Sequence, residues 1–252
     1  MASVAREILT RYLDELLKPE GFKDYCPNGL QVEGRNEISL LVCGVTANQA
    51  LLDLAVAAGA DAILVHHGWF WRGESGAVTG VKRQRLKTLL TNDINLYAYH
   101  LPLDAHPSLG NNACLARALG WTQTGTFGEQ ELGCLGIPET NATVDTITAD
   151  LEKSLGRSPF VLAKSGDQPI HRLAWCTGGA QSYFEAAIRA GADAFVTGEI
   201  SEPMVHLARE TGVAYFAAGH HATERFGVRT LGLRLEDRFG VRVRYLEVDS
   251  PV

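Results

Sequence analysis

The sequence lacks the features of secreted and membrane-spanning proteins. Its five cysteines are odd in number and show no C-x-x-C spacing, which argues against a secreted disulfide framework. No apolar run approaches the roughly 20 residues of a membrane-spanning helix, and no basic-then-apolar signal segment opens the chain. We therefore expect a reduced, cytoplasmic protein with no membrane partner.

Positive charge is also in short supply. The chain has 23 Lys and Arg residues against 29 Asp and Glu residues, which gives a net charge of -6. A global basic field, which drives non-specific binding to nucleic acids, is therefore missing. We do not expect nucleic acid to be a partner.

What the sequence does contain is the material for a large α/β core. Hydrophobic residues make up 46% of the 252 positions. Apolar spacing predicts a helix over residues 3–17 with Ser3 as its N-cap. A strand over 40–45, a helix capped by Thr46 that ends at Gly59, and a strand over 62–65 form a strand-helix-strand unit, for which a right-handed crossover is expected.

Ligand-type side chains follow two of the predicted strands. His66 and His67 come directly after the strand over 62–65, and His100 and Asp104 follow a strand over 94–99. Pro102 disfavours a regular helix here, so we expect His100 and Asp104 to lie on a loop. Open α/β sheets place their chemistry at such strand ends.

The second half of the chain resembles the first. Ala190-Gly191-Ala192-Asp193-Ala194 reproduces Ala58-Gly59-Ala60-Asp61-Ala62. A later strand over 214–217 leads to His220 and Glu224, which are four residues apart, as His100 and Asp104 are. These repeats predict two duplicated α/β units whose strand-end metal clusters face each other.

The expected domain boundaries follow from this repeat. We expect a first α/β unit over residues 1–120, a small inserted module over 121–167 and a second α/β unit over 168–252. The inserted module is spaced by glycines and contains no histidine. It is expected to supply a lid, a wall or an assembly surface.

The clustered residue types point to metal binding. Imidazole nitrogen and carboxylate oxygen without thiolate suit zinc, iron or manganese. Because a carboxylate can bridge two ions and an imidazole cannot, Glu224 or Asp104 is the expected bridge. His106 and His221 fit either a position beside the ligands or an acid or base on the substrate side. His171 and His206 are expected to be surface or packing residues.

Five motifs together resemble a known family over nearly the whole chain. They are Pro27-Asn28-Gly29-Leu30-Gln31, Val65-His66-His67-Gly68, His100-Leu101-Pro102-Leu103-Asp104, Thr197-Gly198-Glu199 and Gly219-His220-His221-Ala222-Thr223-Glu224-Arg225. This set is similar to that of the NIF-three-like dinuclear metal-centre proteins, also labelled type 2 GTP cyclohydrolase I homologues. The likeness is greatest to the short bacterial, YbgI-like members.

The resemblance implies a site and an assembly. It implies two divalent metal ions per chain, with Glu224 bridging both ions and His100 beside the site as a weaker ligand or a neighbour of the ligands. It also implies a toroidal homohexamer whose metal sites face an internal cavity. The implied ligands are His66, His67, Asp104, His220 and Glu224.

Two classes of function follow from this centre. Two metal ions can activate water and polarise the bond that it attacks, which favours hydrolysis of a phosphoester, an amide-like group or a purine ring carbon. With the resemblance, this gives a hydrolase that acts on a nucleotide or a related small molecule. The family label implies opening of the GTP imidazole ring with release of formate, and His100 or His221 would then move protons. The alternative is a non-catalytic metal-binding toroidal scaffold for a protein or nucleic-acid partner.

Two further sequence features have more than one interpretation. Trp69, Phe70 and Trp71 would either stack against a base or form packing and interface contacts. The basic run from Lys82 to Lys87 is expected to be a solvated helix face, with contact to a substrate phosphate as the alternative.

Overall fold

Two α/β units make up the computed structural model, which describes residues 2–252. The first unit comprises the chain up to Leu109 together with Gly227–Asp249. The second comprises Gly110–Phe226 together with Ser250–Val252. Both contain a sheet with parallel strands joined through helices, so the predicted α/β class is confirmed.

The strands are short and numbered in chain order. They are β1 (Val4–Ala5), β2 (Gly29–Val32), β3 (Glu37–Ile38), β4 (Leu40–Thr46), β5 (Ala62–His67), β6 (Asn95–Ala98), β7 (Thr122–Phe127), β8 (Gly133–Ile137), β9 (Phe160–Leu162), β10 (Leu173–Trp175), β11 (Ala194–Thr197), β12 (Ala214–Ala217) and β13 (Arg242–Tyr245).

The α-helices are numbered in the same way, and short 3-10 helices accompany them at Pro19–Gly21, Glu129–Glu131 and Gln181–Tyr183. Within the described residues, no helix has the length and apolar character needed to cross a membrane. The α-helices are α1 (Arg6–Leu17), α2 (Gln49–Ala58), α3 (Gly80–Asn92), α4 (Leu101–Ala105), α5 (Asn111–Ala118), α6 (Val144–Leu155), α7 (Phe184–Arg189), α8 (Glu202–Thr211), α9 (His220–Thr223) and α10 (Arg225–Phe239).

The main sheet of the first unit has the strand order β13-β4-β5-β6-β2. The pairs β13/β4, β4/β5 and β5/β6 are parallel, and β2 pairs with β6 in the antiparallel sense. Because β4, β5 and β6 run in one direction, their carboxyl ends lie at one edge of the sheet. This edge carries His66 and His67 at the end of β5 and His100 shortly after β6.

Alternation along the strands buries both faces of this sheet. Leu41 and Cys43 of β4 pack in a cluster with the leucines of α1 and α10. Val42, between them in sequence, belongs to a second cluster with Leu51 and Leu52 of α2. Side chains that alternate between faces explain why β4 is apolar at nearly every position. The strand ends are thereby held on a rigid support.

The starts of two helices differ from the predictions. The N-cap of α2 is Asn48, whose side chain accepts a hydrogen bond from the Leu51 backbone N–H at 2.9 Å, and not Thr46. Thr46 is the last residue of β4 and is paired with His67. Helix α1 begins three residues after Ser3, and its N-cap Ala5 provides no side-chain hydrogen bond. Backbone pairing of Val4 with Ile38 extends the chain there instead.

The sheet of the second unit has the strand order β7-β8-β10-β11-β12-β9. Strands β10, β11 and β12 are parallel, and β8 and β9 pair with β10 and β12 in the antiparallel sense. The segment 121–167, expected to be an inserted module, supplies three strands of this sheet. Its helix α6 buries Ile147 and Leu151 in the same core as Trp175 and Phe216. The observed division of the chain therefore differs from the predicted boundaries at residues 120 and 167.

Candidate metal centre

Three histidines cluster at the strand ends of the first unit. The ring centroids of His66 and His67 are 4.5 Å apart, although the two residues are adjacent on one strand. The His100 ring lies 5.1 Å from His66 and 5.7 Å from His67. One ring nitrogen from each of the three lies within 4.8 Å of the other two. The cluster therefore has the spacing of a metal-binding group.

Each of the two adjacent histidines is held through its Nδ1 atom. His66 is fully buried, and its Nδ1 lies 3.0 Å from the Tyr99 carbonyl oxygen. Because a carbonyl only accepts, His66 donates from Nδ1, and its Nε2 is the atom that offers a lone pair. His67 Nδ1 lies 3.1 Å from Thr46 Oγ1. Such bonds at the distal nitrogen typically orient histidines that bind metal through Nε2.

Asp104 lies beside this cluster on a helix, and not on the predicted loop. It is 7% exposed, and its Oδ1 is 3.5 Å from His66 Nε2. The short helix α4 forms because Pro102 falls in its first turn, where the missing N–H costs no hydrogen bond. The Asp104 backbone N–H donates to the His100 carbonyl at 3.1 Å. One helical turn thus brings His100 and Asp104 to the same cluster.

The second unit also contains clustered histidine and carboxylate side chains. His220 Nδ1 lies 2.7 Å from Glu199 Oε1, and His220 Nε2 lies 3.2 Å from Glu224 Oε2. Burial lowers the pKa of His220, but the hydrogen bonds and charges of Glu224 and Glu199 outweigh this effect and raise it to about 9. His220 begins α9, and Glu224 separates α9 from α10.

The backbone makes room for the Glu224 carboxylate. Glu224 is 2% exposed, and a Cβ atom at Gly178 would meet its Oε1. Gly178 also has φ +71, a conformation that favours glycine. Thr223 Oγ1 accepts a hydrogen bond from the Gly178 N–H at 3.0 Å, which holds this loop against α9. The sequence therefore provides space around a buried carboxylate, which is stable only with a compensating partner.

The donor set fits a divalent metal ion. Imidazole nitrogens and buried carboxylates come together in each unit, and these donors suit zinc, iron or manganese. In the first unit the residues able to hold an ion are His66, His67, His100 and Asp104, and in the second they are His220 and Glu224. Buried His, Asp and Glu side chains of this chain could therefore hold a metal ion.

The remaining predicted histidines have other surroundings. His221 lies in α9 next to His220, and its backbone N–H donates to the Val252 carbonyl at 3.2 Å. His106 Nδ1 accepts hydrogen bonds from the Ser108 and Leu109 backbone N–H groups, which closes a turn after α4. Burial lowers the pKa of His106. His171 and His206 are exposed.

The three aromatic residues after His67 have different roles. Trp69 is buried, and its indole N–H donates to the Ala47 carbonyl at 2.7 Å, so it is a packing residue. Phe70 is 36% exposed with φ +66. The Trp71 ring lies 5.0 Å from the His100 ring at 82°. Only Phe70 and Trp71 therefore stay as candidates for stacking against a base.

The basic run on α3 begins with a structural lysine. Lys82 Nζ donates to the Ser75 carbonyl at 2.7 Å and lies 3.5 Å from the Glu74 carboxylate. It also lies over the Phe70 ring at 5.4 Å. Lys82 thus holds the loop before α3, whereas Arg83 and Lys87 are exposed on a solvated face.

Sequence reasoning missed Asp24, which is 76 residues from its partner. Asp24 Oδ1 lies 2.7 Å from His100 Nδ1. Burial alone would raise the pKa of Asp24, but the hydrogen bond and charge of His100, with bonds from Asn28 and Tyr25, lower it to about 2. Asp24 falls outside every motif that suggested chemistry, and only Asn28 in the nearby motif marked this turn.

Comparison with known families shows to which family the chain belongs. Residues 4–251 match the model of the family described as Duf34/NIF3 (NGG1p interacting factor 3). The chain belongs to this family. A Pseudomonas aeruginosa protein named GTP cyclohydrolase 1 type 2 homolog is 50% identical over 255 aligned residues, which cover 99% of this chain and 99% of that protein. The resemblance predicted from the motifs is thus confirmed.

Solved structures of relatives have the same fold. One, described as protein ybgI of unknown function, has a TM-score of 0.95 and 48% identity, and covers 99% of this chain and 100% of that chain. Another is a Thermus thermophilus protein, with a TM-score of 0.91, 34% identity and coverage of 99% and 100%. The fold of this Duf34/NIF3 member is therefore that of its relatives.

Proposed function

We propose that this Duf34/NIF3 protein is a metal-dependent hydrolase that acts on a nucleotide or a related small molecule. The observation that carries the proposal is a hydrogen bond at Nδ1 that four histidines have in common. His66, His67, His100 and His220 are each hydrogen-bonded at Nδ1 by an oxygen atom, which leaves Nε2 as the metal-facing nitrogen. Packing alone does not require four imidazoles to be oriented in this one way.

The proposed ligands are those implied by the family resemblance. Two divalent ions, of zinc, iron or manganese, would be held by five residues, and the resemblance implies that Glu224 would be shared between them. When bound, two such ions would supply Lewis-acid chemistry that activates water and polarises the bond under attack. The proposed ligands are His66, His67, Asp104, His220 and Glu224.

The chain's own residues would then orient the substrate and move protons. His100 and His221 are the proposed proton-transfer residues, since each lies next to one of the two ligand groups. Trp71 and the half-exposed Phe70 would contact a base. The name of the Pseudomonas aeruginosa relative supports a GTP cyclohydrolase-type ring opening as the specific reaction.

Duplication of one α/β unit, with the two metal clusters facing each other, is part of the proposal. Its support is a matching hydrogen-bond pattern at the repeated pentapeptide. Asp61 Oδ2 accepts from the Ser39 and Leu40 backbone N–H groups just before β4 and at its start. Asp193 Oδ2 accepts from the His171 and Arg172 N–H groups just before β10.

The second candidate function is a toroidal homohexameric scaffold that binds a protein or nucleic-acid partner. Exposed apolar side chains favour an assembly: Val81 and Leu90 of α3 are 63% and 61% exposed. Light scattering on the purified chain tests the hexamer directly. A monomeric mass would contradict the scaffold hypothesis but would not contradict the hydrolase hypothesis.

The deciding experiment combines metal content with turnover. The full chain is purified without added metal or chelator, metals are measured by mass spectrometry, and hydrolysis is screened over nucleotides that include GTP. Glu224→Ala is compared with Glu210→Ala, which changes an exposed glutamate of the same unit.

We expect close to two ions per chain, and turnover that Glu224→Ala abolishes and Glu210→Ala retains. Bound metal without turnover on any nucleotide would favour the scaffold. Protein with no bound metal would contradict both.

A further inference from the structure

The Asp24 carboxylate has a complete set of hydrogen bonds. Its side chain is 4% exposed, and Oδ1 accepts from the Tyr25 N–H at 2.6 Å and from His100 Nδ1 at 2.7 Å. Oδ2 accepts from Asn28 Nδ2 at 2.8 Å and from the Leu101 N–H at 3.0 Å. An ionised carboxylate offers about four lone-pair sites, so four donors use its capacity.

Two roles are conceivable for a buried carboxylate in this position. Asp24, Cys26 and His100 each place one ligand atom within 4.8 Å of the others, which is the spacing of a separate metal site. Asp24 would have to give up existing hydrogen bonds to serve as a ligand. Burial, with the charge of Asp24, also raises the pKa of the Cys26 thiol to about 12, which keeps it protonated. These facts favour a role for Asp24 through His100.

The contact with Asp24 determines which nitrogen of His100 carries the proton. Because the ionised carboxylate only accepts, His100 donates from Nδ1, and Nε2 carries the lone pair of the neutral ring. The His100 backbone N–H donates to Asn28 Oδ1 at 2.7 Å. The ring also packs edge-on against Trp71. The turn over residues 24–28 thus clamps both the backbone and the ring of His100 beside the other two histidines.

We propose that Asp24 is a positioning residue, which fixes His100 with Nε2 as a lone-pair donor to the metal held at His66 and His67. This inference rests on the proposed function, since it assumes a metal ion at the cluster. It goes beyond the family resemblance, which left His100 as either a weak ligand or a neighbour of the ligands. It also replaces the proton-transfer role proposed for His100 above, which would pass to His221 alone. A carboxylate that orients a ligating histidine contributes to metal affinity without touching the metal.

The test uses Co²⁺ as the probe on the full chain after removal of metal with a chelator. Co²⁺ affinity and the visible absorption spectrum are measured for wild type, Asp24→Asn, His100→Ala and the double variant. Asp24→Asn is expected to weaken binding about 10- to 100-fold. The double variant should bind no more weakly than His100→Ala alone, and both single variants should change the same absorption band.

Cys26→Ser is the matched control, because Cys26 is buried in the same turn and is not part of the proposed centre. It is expected to bind Co²⁺ like wild type. A lower number of bound ions in Cys26→Ser would overturn the inference in favour of a separate site at Asp24, Cys26 and His100. The inference would also be overturned if the losses of Co²⁺ affinity in Asp24→Asn and His100→Ala multiply in the double variant.

A second variant covers the case in which Asp24→Asn fails to fold. Asn28→Ala removes one donor to Asp24 and the acceptor for the His100 N–H, and should weaken Co²⁺ binding less strongly. That loss should vanish when His100 is already alanine, and a loss that persists would contradict the inference. Wild type that binds no Co²⁺ would overturn the proposed function too, whereas unchanged binding in Asp24→Asn would overturn this inference alone.

Discussion

Single oxygen atoms outside the proposed ligand set orient the histidines of the candidate centre. Tyr99 provides a carbonyl, Thr46 a hydroxyl, and Asp24 and Glu199 provide carboxylates. The two carboxylates differ in their surroundings, since the Asp24 side chain is 4% exposed and that of Glu199 is 34% exposed. We therefore expect the His100 ring to be held more rigidly than the His220 ring.

Gly178 allows a direct test of the space around Glu224. In Gly178→Ala the new Cβ meets the buried carboxylate, so we expect roughly 1–3 kcal/mol of destabilisation beyond backbone strain, together with weaker metal binding. Gly156→Ala is the matched control: its φ is +73 against +71 for Gly178, and a Cβ there meets nothing within 4 Å. The control should cost about 1 kcal/mol and leave metal binding intact. Urea unfolding and metal titration measure both, and equal effects in the two variants would contradict the steric account.

The pair between His220 and its two carboxylates predicts a pH dependence of the metal-free protein. The folded-state pKa of His220, about 9, lies above the value near 6.5 of an unfolded histidine. The ion pairs therefore stabilise the fold fully below pH 6.5, and this contribution is lost as the pH rises to about 9. His220→Asn should lower the urea midpoint at pH 6 and approach wild type near pH 10.

An exposed histidine of the same unit serves as the control for this measurement. His171→Asn is expected to leave the unfolding midpoint unchanged at both pH values. A His220→Asn deficit that is as large at pH 10 as at pH 6 would rule out the ion pairs as its cause.

At the level of elements, the N-cap of α2 helps to position β5, the strand that carries His66 and His67. Asn48 accepts the Leu51 N–H and starts the helix that joins β4 to β5. Asn48→Ala should cost about 1 kcal/mol, measured by urea unfolding. Thr79→Ala is the comparison, because Thr79 is the N-cap of α3 without a side-chain hydrogen bond. It should change stability by less than about 0.5 kcal/mol, and a larger loss than in Asn48→Ala would contradict this assignment.

Elements with a strong local pattern were predictable from the sequence. The strand predicted over 214–217 has the observed bounds of β12, and the helix predicted to end at Gly59 is α2, which has Gly59 as its C-cap. Non-local contacts decided the rest. Residues 121–167 look separate in composition, yet pairing of β8 with β10 and of β9 with β12 makes them part of one sheet. Asp24 was missed for the same reason, since its role depends on a contact across 76 residues.

At the scale of the whole chain, metal binding should be coupled to folding. The proposed ligands extend along the sequence from His66 to Glu224, so an unfolded chain does not present them together. An ion that binds only the native state stabilises it by about 2.7 kcal/mol when the free ion is at 100 times its dissociation constant. Chelator treatment is therefore expected to lower the unfolding midpoint of the wild type, and added Zn²⁺ to restore it.

The effect of metal on the unfolding midpoint also tests whether Glu224 holds the stabilising ion. Glu224→Gln keeps the shape of the side chain but removes the charge, so its unfolding midpoint should barely respond to chelator or to Zn²⁺. Glu210→Gln, at an exposed glutamate of the same unit, should respond like wild type. Loss of charge from a carboxylate that bridges two ions should weaken the binding of both ions. If Zn²⁺ shifts the unfolding midpoint of Glu224→Gln as much as that of the wild type, the stabilising ion therefore binds elsewhere.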